Sequence, residues 1–176
     1  MLPFVTFIRV TYEEVNQVDP LNYQTSEIAA VYDKYAEMLF RVAYTELLSK
    51  EDAEDTISEV FLKFIKRAPK FSDAEHEKAW FLRVTINQCH DMQRKRVVRS
   101  YTPLEEIAEL PVSQKTDHFL LEEVLVLPEK FKIVLILHYF EELSIEEIAS
   151  ALRISKAAVK MRLVRGRESL RDRMER

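Results

Sequence analysis

The amino-acid sequence predicts an all-α protein, built from two small helical domains that are joined by a linker. The 176 residues include only one glycine and six prolines, which leaves little of the turn chemistry that β-hairpins need. Apolar residues recur at three- and four-residue steps in successive segments, as they do in amphipathic helices. Residues 100–116 interrupt this periodicity with two prolines and several polar residues, and we interpret them as the linker.

Three helices are predicted for the first domain, residues 26–99. The first helix covers residues 27–48, where apolar positions follow the helical repeat. Ser49 is the predicted N-cap of the second helix, which ends before Pro69 because proline cannot continue a helix. The third helix covers residues 74–98 and becomes strongly basic towards its end.

The second domain, residues 117–176, is predicted to contain four helices, of which the last two form a helix-turn-helix. Its first two helices are separated at Pro128. Ser144, followed three residues later by Glu147, is a capping-box pattern that opens a short helix. A short turn and a second helix capped by Ser155 then complete a helix-turn-helix over about 25 residues.

Composition and motifs exclude several classes of function. The single cysteine, Cys89, cannot form an internal disulfide, and we expect it to be a small buried residue. Residues 1–25 lack the basic region and cleavage site of a signal peptide, so we interpret them as an N-terminal extension of a cytoplasmic protein. The four histidines are scattered, and there is no glycine-rich phosphate loop. We therefore predict no catalytic residue, no metal site and no cofactor.

The formal net charge of −4 conceals three strongly charged segments. Residues 27–62 carry nine acidic and three basic side chains, residues 78–99 carry one acidic and six basic, and residues 155–176 carry three acidic and eight basic. A single charged segment is usually a solvated helix face. Two basic helices in two domains, however, indicate binding to a shared polyanion such as nucleic acid.

The last helix has two distinct faces when successive residues are placed 100° apart. The predicted core stripe is Val159, Leu163, Gly166, Leu170 and Met174. The opposite arc is Ala157, Ala158, Lys160, Met161, Val164, Arg165 and Glu168. The long cations that flank the stripe are Lys156, Arg162 and Arg167. This arrangement predicts a DNA-facing surface whose phosphate contacts would weaken as the salt concentration rises.

The sequence resembles the bacterial extracytoplasmic-function (ECF, group IV) sigma factors of the sigma-70 family. Their −35-recognition domain is similar to LPEKFKIVLILHYFEELSIEEIASALRISKAAVKMRLVRGRESL. Their first domain is similar to EDAEDTISEVFLKF followed by AWFLRVTINQCHDMQRKR. The resemblance runs from about residue 27 to residue 173. It implies a protein that binds core RNA polymerase, through the clamp of the β′ subunit, and directs it to promoter DNA with −10 and −35 elements.

The resemblance also implies residue roles in the first domain. The core polymerase-binding residues would be Asp52, Asp55, Glu59, Val60 and Phe61, the last two as packing or contact residues. The residues binding the −10 element would be Arg83, Asn87, His90, Arg94, Lys95 and Arg96. Such a surface combines a pocket for an unstacked base with cations that hold the backbone. We expect a −10 loop at about residues 71–78 and a core position for Trp80.

For the second domain, the implied −35-binding residues are Lys156, Ala157, Lys160, Met161, Val164, Arg165 and Arg167. Four of these positions match the family's contacts and also lie on the outward arc of the helix: Lys160, Met161, Val164 and Arg165. Other positions depart from the family pattern: Ser58 replaces a common glutamine, and Arg153 a glycine or asparagine. Ala158 replaces a frequent threonine, and Met161 a frequent serine. The family's usual promoter sequence therefore does not transfer directly to this chain.

Two other functions remain open at this stage. A helix-turn-helix regulator would bind DNA without polymerase, and a protein–protein adaptor would use the same surfaces only to sequester a partner. The acidic second helix and the basic third helix in one chain favour the sigma factor over both. The resemblance further implies a regulatory partner, an anti-sigma factor. We expect no membrane insertion, because no apolar run approaches the ~20 residues that a membrane helix needs.

Overall fold

The computed structural model describes residues 25–67, 69–97, 120 and 123–175. Its helices are α1 (Thr25–Leu47), α2 (Lys50–Arg67), α3 (Ala74–Val97), α4 (Glu129–Leu135), α5 (Ile145–Leu152) and α6 (Lys156–Met174). The described residues contain no strand, and the all-α prediction is confirmed. Nearly all of the predicted extension, the linker and half of the first predicted helix of the second domain (residues 117–126) lie outside the described residues. No described helix is long and apolar enough to span a bilayer.

The N-terminal domain consists of α1, α2 and α3, which pack on one another. The backbone N–H of Asp52 donates to Ser49 Oγ at 3.3 Å, which confirms Ser49 as the N-cap of α2. Leu39, Val60 and Phe81 are fully buried between the three helices. Each such side chain contributes roughly 1.5–3 kcal/mol through removal of its apolar surface from water.

An aromatic cluster fixes the start of α3. Trp80 packs edge-on against Phe64, Phe71 and Phe81, with ring centroids 5.0–6.2 Å apart, which confirms its core position. The helix begins at Ala74, immediately after Asp73, which accepts a hydrogen bond from the backbone N–H of His76 at 2.7 Å. The predicted −10 loop at residues 71–78 was therefore too long, because residues 74–78 are already helical.

The C-terminal domain contains the helix-turn-helix formed by α5 and α6. Both halves of the Ser144–Glu147 capping box are present, and Ser155 Oγ accepts from the backbone N–H of Ala158. Arg153 adopts the left-handed conformation at the turn, with φ of 53°. Arginine is less stable in this conformation than glycine or asparagine, which are the residues more usual at this turn.

Helix α6 packs on α4 through the predicted stripe, with one exception. Val159, Leu163 and Gly166 are buried, whereas Met174 is 52% exposed because residues 171–175 at the helix end all face solvent. A Cβ atom at Gly166 would lie 3.1 Å from Leu135 Cδ1. The glycine therefore permits the close approach of α4 to α6. Beyond Leu135, α4 continues into a π-helical turn, Ile136–Phe140.

Candidate nucleic-acid interface

The acidic surface of α2 consists of Asp52, Asp55 and Glu59 in the first half of the helix. Asp55 and Glu59 are exposed, and Asp52 is half-buried near the start of the helix. Val60 and Phe61 are 0% and 5% exposed, so they pack in the core and do not contact a partner in this conformation. Of the two roles given to Val60 and Phe61, we retain packing, because side chains this deeply buried support the helix from inside.

The outward face of α6 is open to solvent. Met161 is 53% exposed and Val164 is 40% exposed, and Lys160, Arg165 and Ala157 are exposed beside them. Single exposed apolar side chains are common, but Met161 and Val164 lie three residues apart on one side of the helix and form a joint apolar patch, and such patches are found at interaction sites. Together with their neighbouring cations they form a surface that can enter a DNA groove. We call these five residues the α6 face.

The two remaining −35 candidates lie at the margins of the α6 face and have partners within the domain. Lys156 Nζ lies 2.7 Å from Glu146 Oε1, and Arg167 Nη1 donates to the hydroxyl of Tyr139 at 3.1 Å. Both side chains are exposed, and Glu146 has a lowered pKa because Lys156 hydrogen-bonds it. Exposed pairs of this kind exchange readily for phosphate contacts.

The predicted −10 residues of α3 have a different environment. Arg83 Nη2 donates to the backbone carbonyl of Ser150 in α5 at 3.3 Å, and His90 Nε2 lies 2.7 Å from Glu129 Oε1 in α4. Asn87, between them along the helix, is exposed and lines the same gap between the domains. Three of the six candidates therefore face the C-terminal domain, and we call Arg83, Asn87 and His90 the α3 face.

The other three −10 candidates lie towards the C-terminal end of α3. Arg94 is exposed and forms an ion pair with Asp91 on the same helix. Lys95 is exposed, and the side chain of Arg96 lies outside the described part of the structure. The structure thus separates a covered group, the α3 face, from exposed cations further along the same helix.

Arg83 is incompletely satisfied where it lies. Burial and the nearby Arg153 both lower the pKa of its guanidinium, which means that its charged form is stabilised less than in water. Within the described residues, no acceptor pairs with its buried Nε. The guanidinium therefore keeps donor capacity for an additional acceptor such as a phosphate oxygen.

A buried ion pair joins the two domains next to the α3 face. The side chain of Glu46 in α1 is fully buried and that of Lys132 in α4 is 8% exposed, with 3.5 Å between Nζ and Oε1. Lys132 Nζ also donates to the carbonyl of Thr45 at 3.0 Å. Burial raises the pKa of Glu46, and the charge of Lys132 opposes that rise.

Metal binding was considered at a nearby cluster. Ligand atoms of Glu46, His90 and Glu129 all lie within 4.8 Å of one another. However, the ammonium of Lys132 already compensates the buried carboxylate of Glu46, and a divalent cation there would add charge beside it. We therefore assign no ion to this cluster. Cys89 lies close by and is buried, as predicted, and this burial raises the pKa of its thiol to about 12.

Comparisons with known proteins identify the family from two regions of the chain. Residues 31–99 match the family model described as Sigma-70 region 2, and residues 120–170 match Sigma-70, region 4. The RNA polymerase sigma-E factor of Streptomyces coelicolor is 32% identical over 126 residues, which cover 69% of this chain and 71% of that protein. The chain belongs to the extracytoplasmic-function group of the sigma-70 family.

A further relative supports this membership, and solved structures show the same fold. The ECF sigma factor SigW of Bacillus subtilis is 27% identical over 164 residues, covering 83% of this chain and 88% of SigW. Two solved structures share the fold, each with a TM-score of 0.66. One is the sigma factor RpoE of Bartonella quintana with the anti-sigma factor NepR, 19% identical over 78% of this chain and 90% of RpoE. The other is CnrH with the cytosolic domain of CnrY, 17% identical over 86% and 90%.

This sigma factor binds core RNA polymerase and directs it to promoters, and it is not itself an enzyme. Matches to both region models disfavour the alternative of a regulator that binds DNA without polymerase. Sequence reasoning missed Glu129, which lies against His90 of the α3 face, and Lys132, which pairs with Glu46 next to that face. Lys132 carried one usable signal, because it stands between Phe131 and the apolar run that begins at Ile133. A lysine at such a position is either buried with a polar partner or lies on the solvent-exposed side of the helix.

Proposed function

We propose that this sigma factor uses three separate surfaces, with roles assigned residue by residue. Asp52, Asp55 and Glu59 contact cations of the polymerase clamp. The α3 face, with Arg94, Lys95 and Arg96, binds the −10 element. The α6 face, with Lys156 and Arg167, binds the −35 element. The observation that carries this assignment is the exposure of Met161, Val164 and Arg165 on one side of a capped recognition helix.

The two DNA surfaces differ in the readout that they support. Arg165 projects from the middle of α6, where a bidentate contact to guanine is worth about 1–3 kcal/mol of discrimination. Met161 and Val164 present apolar surface, which suits the methyl group of thymine. On α3, Asn87 lies between Arg83 and His90, an arrangement that suits one extruded base held beside backbone phosphates.

Two properties of the relatives extend to this protein as proposals. RpoE and CnrH are recorded with an anti-sigma factor and with CnrY, respectively. We propose that this chain, too, is held inactive by an anti-sigma factor, and that it acts in the cytoplasm, where core polymerase is found. The domain boundaries given from the sequence, with a linker at residues 100–116, belong to the same proposal.

Run-off transcription with core polymerase on genomic fragments, followed by start-site mapping, tests the function. We expect initiation at fixed distances from paired −10 and −35 elements. DNA binding without initiation would support a simple helix-turn-helix regulator. Polymerase binding without open-complex formation would support the adaptor.

A charge reversal tests the polymerase surface separately. Asp55→Lys should weaken binding to core polymerase, because an exposed acidic contact becomes repulsive. Glu168→Lys is the matched control, since Glu168 is equally exposed but lies on α6. Equal core affinities for the two variants, measured by competition with a labelled sigma factor, would remove Asp55 from the surface.

A further inference from the structure

Among the described residues, four pairs of oppositely charged side chains connect the two domains. The pairs are Arg41 with Glu141, Glu46 with Lys132, Lys78 with Glu147, and His90 with Glu129. We call this set of pairs the domain contact. Arg41 binds Glu141 through two parallel hydrogen bonds of 2.7 Å, the strongest geometry that this pairing offers. Each charge in the domain contact thus has a partner of opposite sign.

Two arginines beside the domain contact do not follow this rule. Burial and, after it, the charge of Arg153 lower the pKa of the Arg83 guanidinium, so the two cations lie close together across the gap between the domains. Arg83 donates to the carbonyl of Ser150 at 3.3 Å, and its buried Nε has no acceptor among the described residues. An anion between the two guanidinium groups would offset their repulsion and supply the missing acceptor.

A cavity of about 620 Å³ lies at this pair of arginines, and both of them line it. Lys130 of α4 and Arg162 of α6 add two further cations to its lining. Glu129 is the one acidic residue among the described lining residues, and its carboxylate already lies 2.7 Å from His90. Four cations and one carboxylate give the lining a formal charge of +3. A phosphate monoester carries about −1.5 to −2 at pH 7, so this charge matches two phosphate groups better than one.

Apolar side chains form much of the remaining wall of the cavity. Ile86 of α3 and Ile133 of α4 are buried, and Leu152 and Ile154 are half-buried where α5 ends. Asn87 adds an amide that both donates and accepts hydrogen bonds, as the edge of a nucleobase requires. Small-molecule sites of about 300–1,000 Å³ typically combine apolar walls with a few polar groups in this way.

We propose that this cavity between the two domains is a binding site for a nucleotide that carries two phosphate groups. The phosphates lie between Arg83 and Arg153, and the planar base lies against the apolar wall, where Asn87 pairs with its edge. The ligand contacts both domains at once. Its binding and the domain contact are therefore thermodynamically linked, so that each stabilises the other.

One consequence concerns promoter binding. Arg83 and Asn87 belong to the α3 face, so the nucleotide and the −10 strand exclude each other from these side chains. This consequence rests on the proposed function of α3. The site itself does not, because the cavity, its charge and its apolar wall are properties of the chain without DNA.

Isothermal titration calorimetry of the full chain, without DNA or polymerase, tests the site. The probe is adenosine 5′-diphosphate (ADP), and pyrophosphate and adenosine present its anion and its base separately. We expect saturable binding of ADP, weaker binding of pyrophosphate, and still weaker binding of adenosine. Absence of saturable ADP binding would overturn the site. Pyrophosphate binding as tightly as ADP would overturn the assignment to a nucleotide.

Arg153→Asn removes one of the two central cations. Asparagine tolerates the left-handed backbone at this turn, where φ is 53°, so the variant should fold. We expect ADP to bind about tenfold more weakly or worse, because a charge-assisted hydrogen bond is lost. Arg171→Asn is the matched control, since Arg171 is exposed on α6 and does not line the cavity. Equal losses in the two variants would show a response to net charge alone, against the site.

Lys130→Gln tests the cavity from α4, at an exposed residue that has no proposed role in DNA binding. It should weaken ADP binding but leave adenosine binding unchanged. ADP bound on the basic α6 face instead would respond to Lys160→Gln and not to Lys130→Gln. That pattern would overturn the assignment of the nucleotide to the cavity.

Competition with DNA separates the site from the proposed function. ADP should displace a labelled single strand that carries the −10 sequence of a mapped promoter. If ADP binds with the expected dependence on Arg153 yet displaces none of this strand, the proposed role of the α3 face is wrong and the nucleotide site stands. If the strand binds and depends on Asn87 while ADP does not bind, the role of the α3 face stands and the nucleotide site is wrong.

Discussion

Helices α3 and α6 are similar in sequence character and different in surroundings. Both end in clusters of basic residues, and both begin with a capping side chain, Asp73 for α3 and Ser155 for α6. Yet the proposed DNA-binding side of α3 contacts α4 and α5, whereas the α6 face is exposed, with Lys156 and Arg167 at its margins paired to Glu146 and Tyr139. The charge of a helix therefore indicates what it binds, but only tertiary contacts decide when that side is accessible.

The largest expected effect comes from breaking the buried pair behind the covered face. Lys132→Ala leaves the carboxylate of Glu46 buried beside no cation, which should lower the free energy of unfolding by about 3–5 kcal/mol. Urea denaturation followed by circular dichroism measures the loss. The control Lys70→Ala changes an exposed lysine and should have little effect.

A double replacement distinguishes the effect of the ion pair from the effect of the packing of the two side chains. Glu46→Met/Lys132→Met should be close to wild-type stability or above it, since apolar residues of similar volume often replace buried ion pairs without loss. A double variant as unstable as Lys132→Ala would show that the pair itself stabilises the domain contact.

The second prediction concerns the open face. Arg165→Ala should weaken −35-dependent initiation by roughly 5- to 150-fold, the range that corresponds to about 1–3 kcal/mol for a bidentate base contact. Arg171→Ala is the matched control, because Arg171 is exposed on the same helix but beyond the α6 face. Unchanged initiation from −35-dependent promoters would exclude Arg165 from recognition.

A smaller effect is expected at the cap of α6. Ser155→Ala removes the hydrogen bond to the backbone N–H of Ala158, and the free energy of unfolding should fall by about 1 kcal/mol. Thermal unfolding measures this change. Ser155→Asp should retain most of the stability, and a loss as large as that of the alanine variant would show that capping is not the cause.

The smallest effect is a pH dependence at the domain contact. Burial alone would raise the pKa of Glu147, but hydrogen bonds from Lys78 and Ser144 outweigh it and lower the pKa below the ordinary 4.5. A lowered carboxylate pKa contributes stability above pH 4.5, and this contribution is lost as the pH falls through the lowered value. For a partly exposed pair the loss is about 0.2–1 kcal/mol.

Glu147→Gln isolates that contribution. Glutamine can keep the capping-box hydrogen bond to Ser144 while removing the charge opposite Lys78. The domain contact in this variant, followed by solution scattering between pH 7 and pH 3, should show a weaker pH dependence than wild type. An unchanged profile would assign the acid sensitivity to other groups.

The sequence predicted the local structure well because its signals are local. Residue spacing alone predicts the helix caps at Ser49, Ser144 and Ser155. It also predicts the buried stripe from Val159 to Gly166. The two errors of extent, at residues 74–78 and at Met174, concern helix ends, where capping and the length of the packed partner decide the boundary.

The domain contact could not be predicted in the same way. Arg41 and Glu141 are separated by 100 residues, and Glu46 and Lys132 by 86, so no periodicity links them. Glu129 and Glu147 have ordinary places in the first turns of their helices. Their contacts depend on how the helices of the two domains meet, which the hydrophobic pattern of each helix does not encode.

The distance between the two domains tests the central claim most directly. Spin labels on Lys70→Cys and Asp172→Cys lie at exposed positions on different domains, and the buried thiol of Cys89, with a pKa of about 12, should not react with the label. Pulsed electron paramagnetic resonance of the free chain should give one narrow distance, which lengthens when core polymerase binds. A free chain whose distances are broad, or already equal to those in the polymerase complex, would contradict the domain contact.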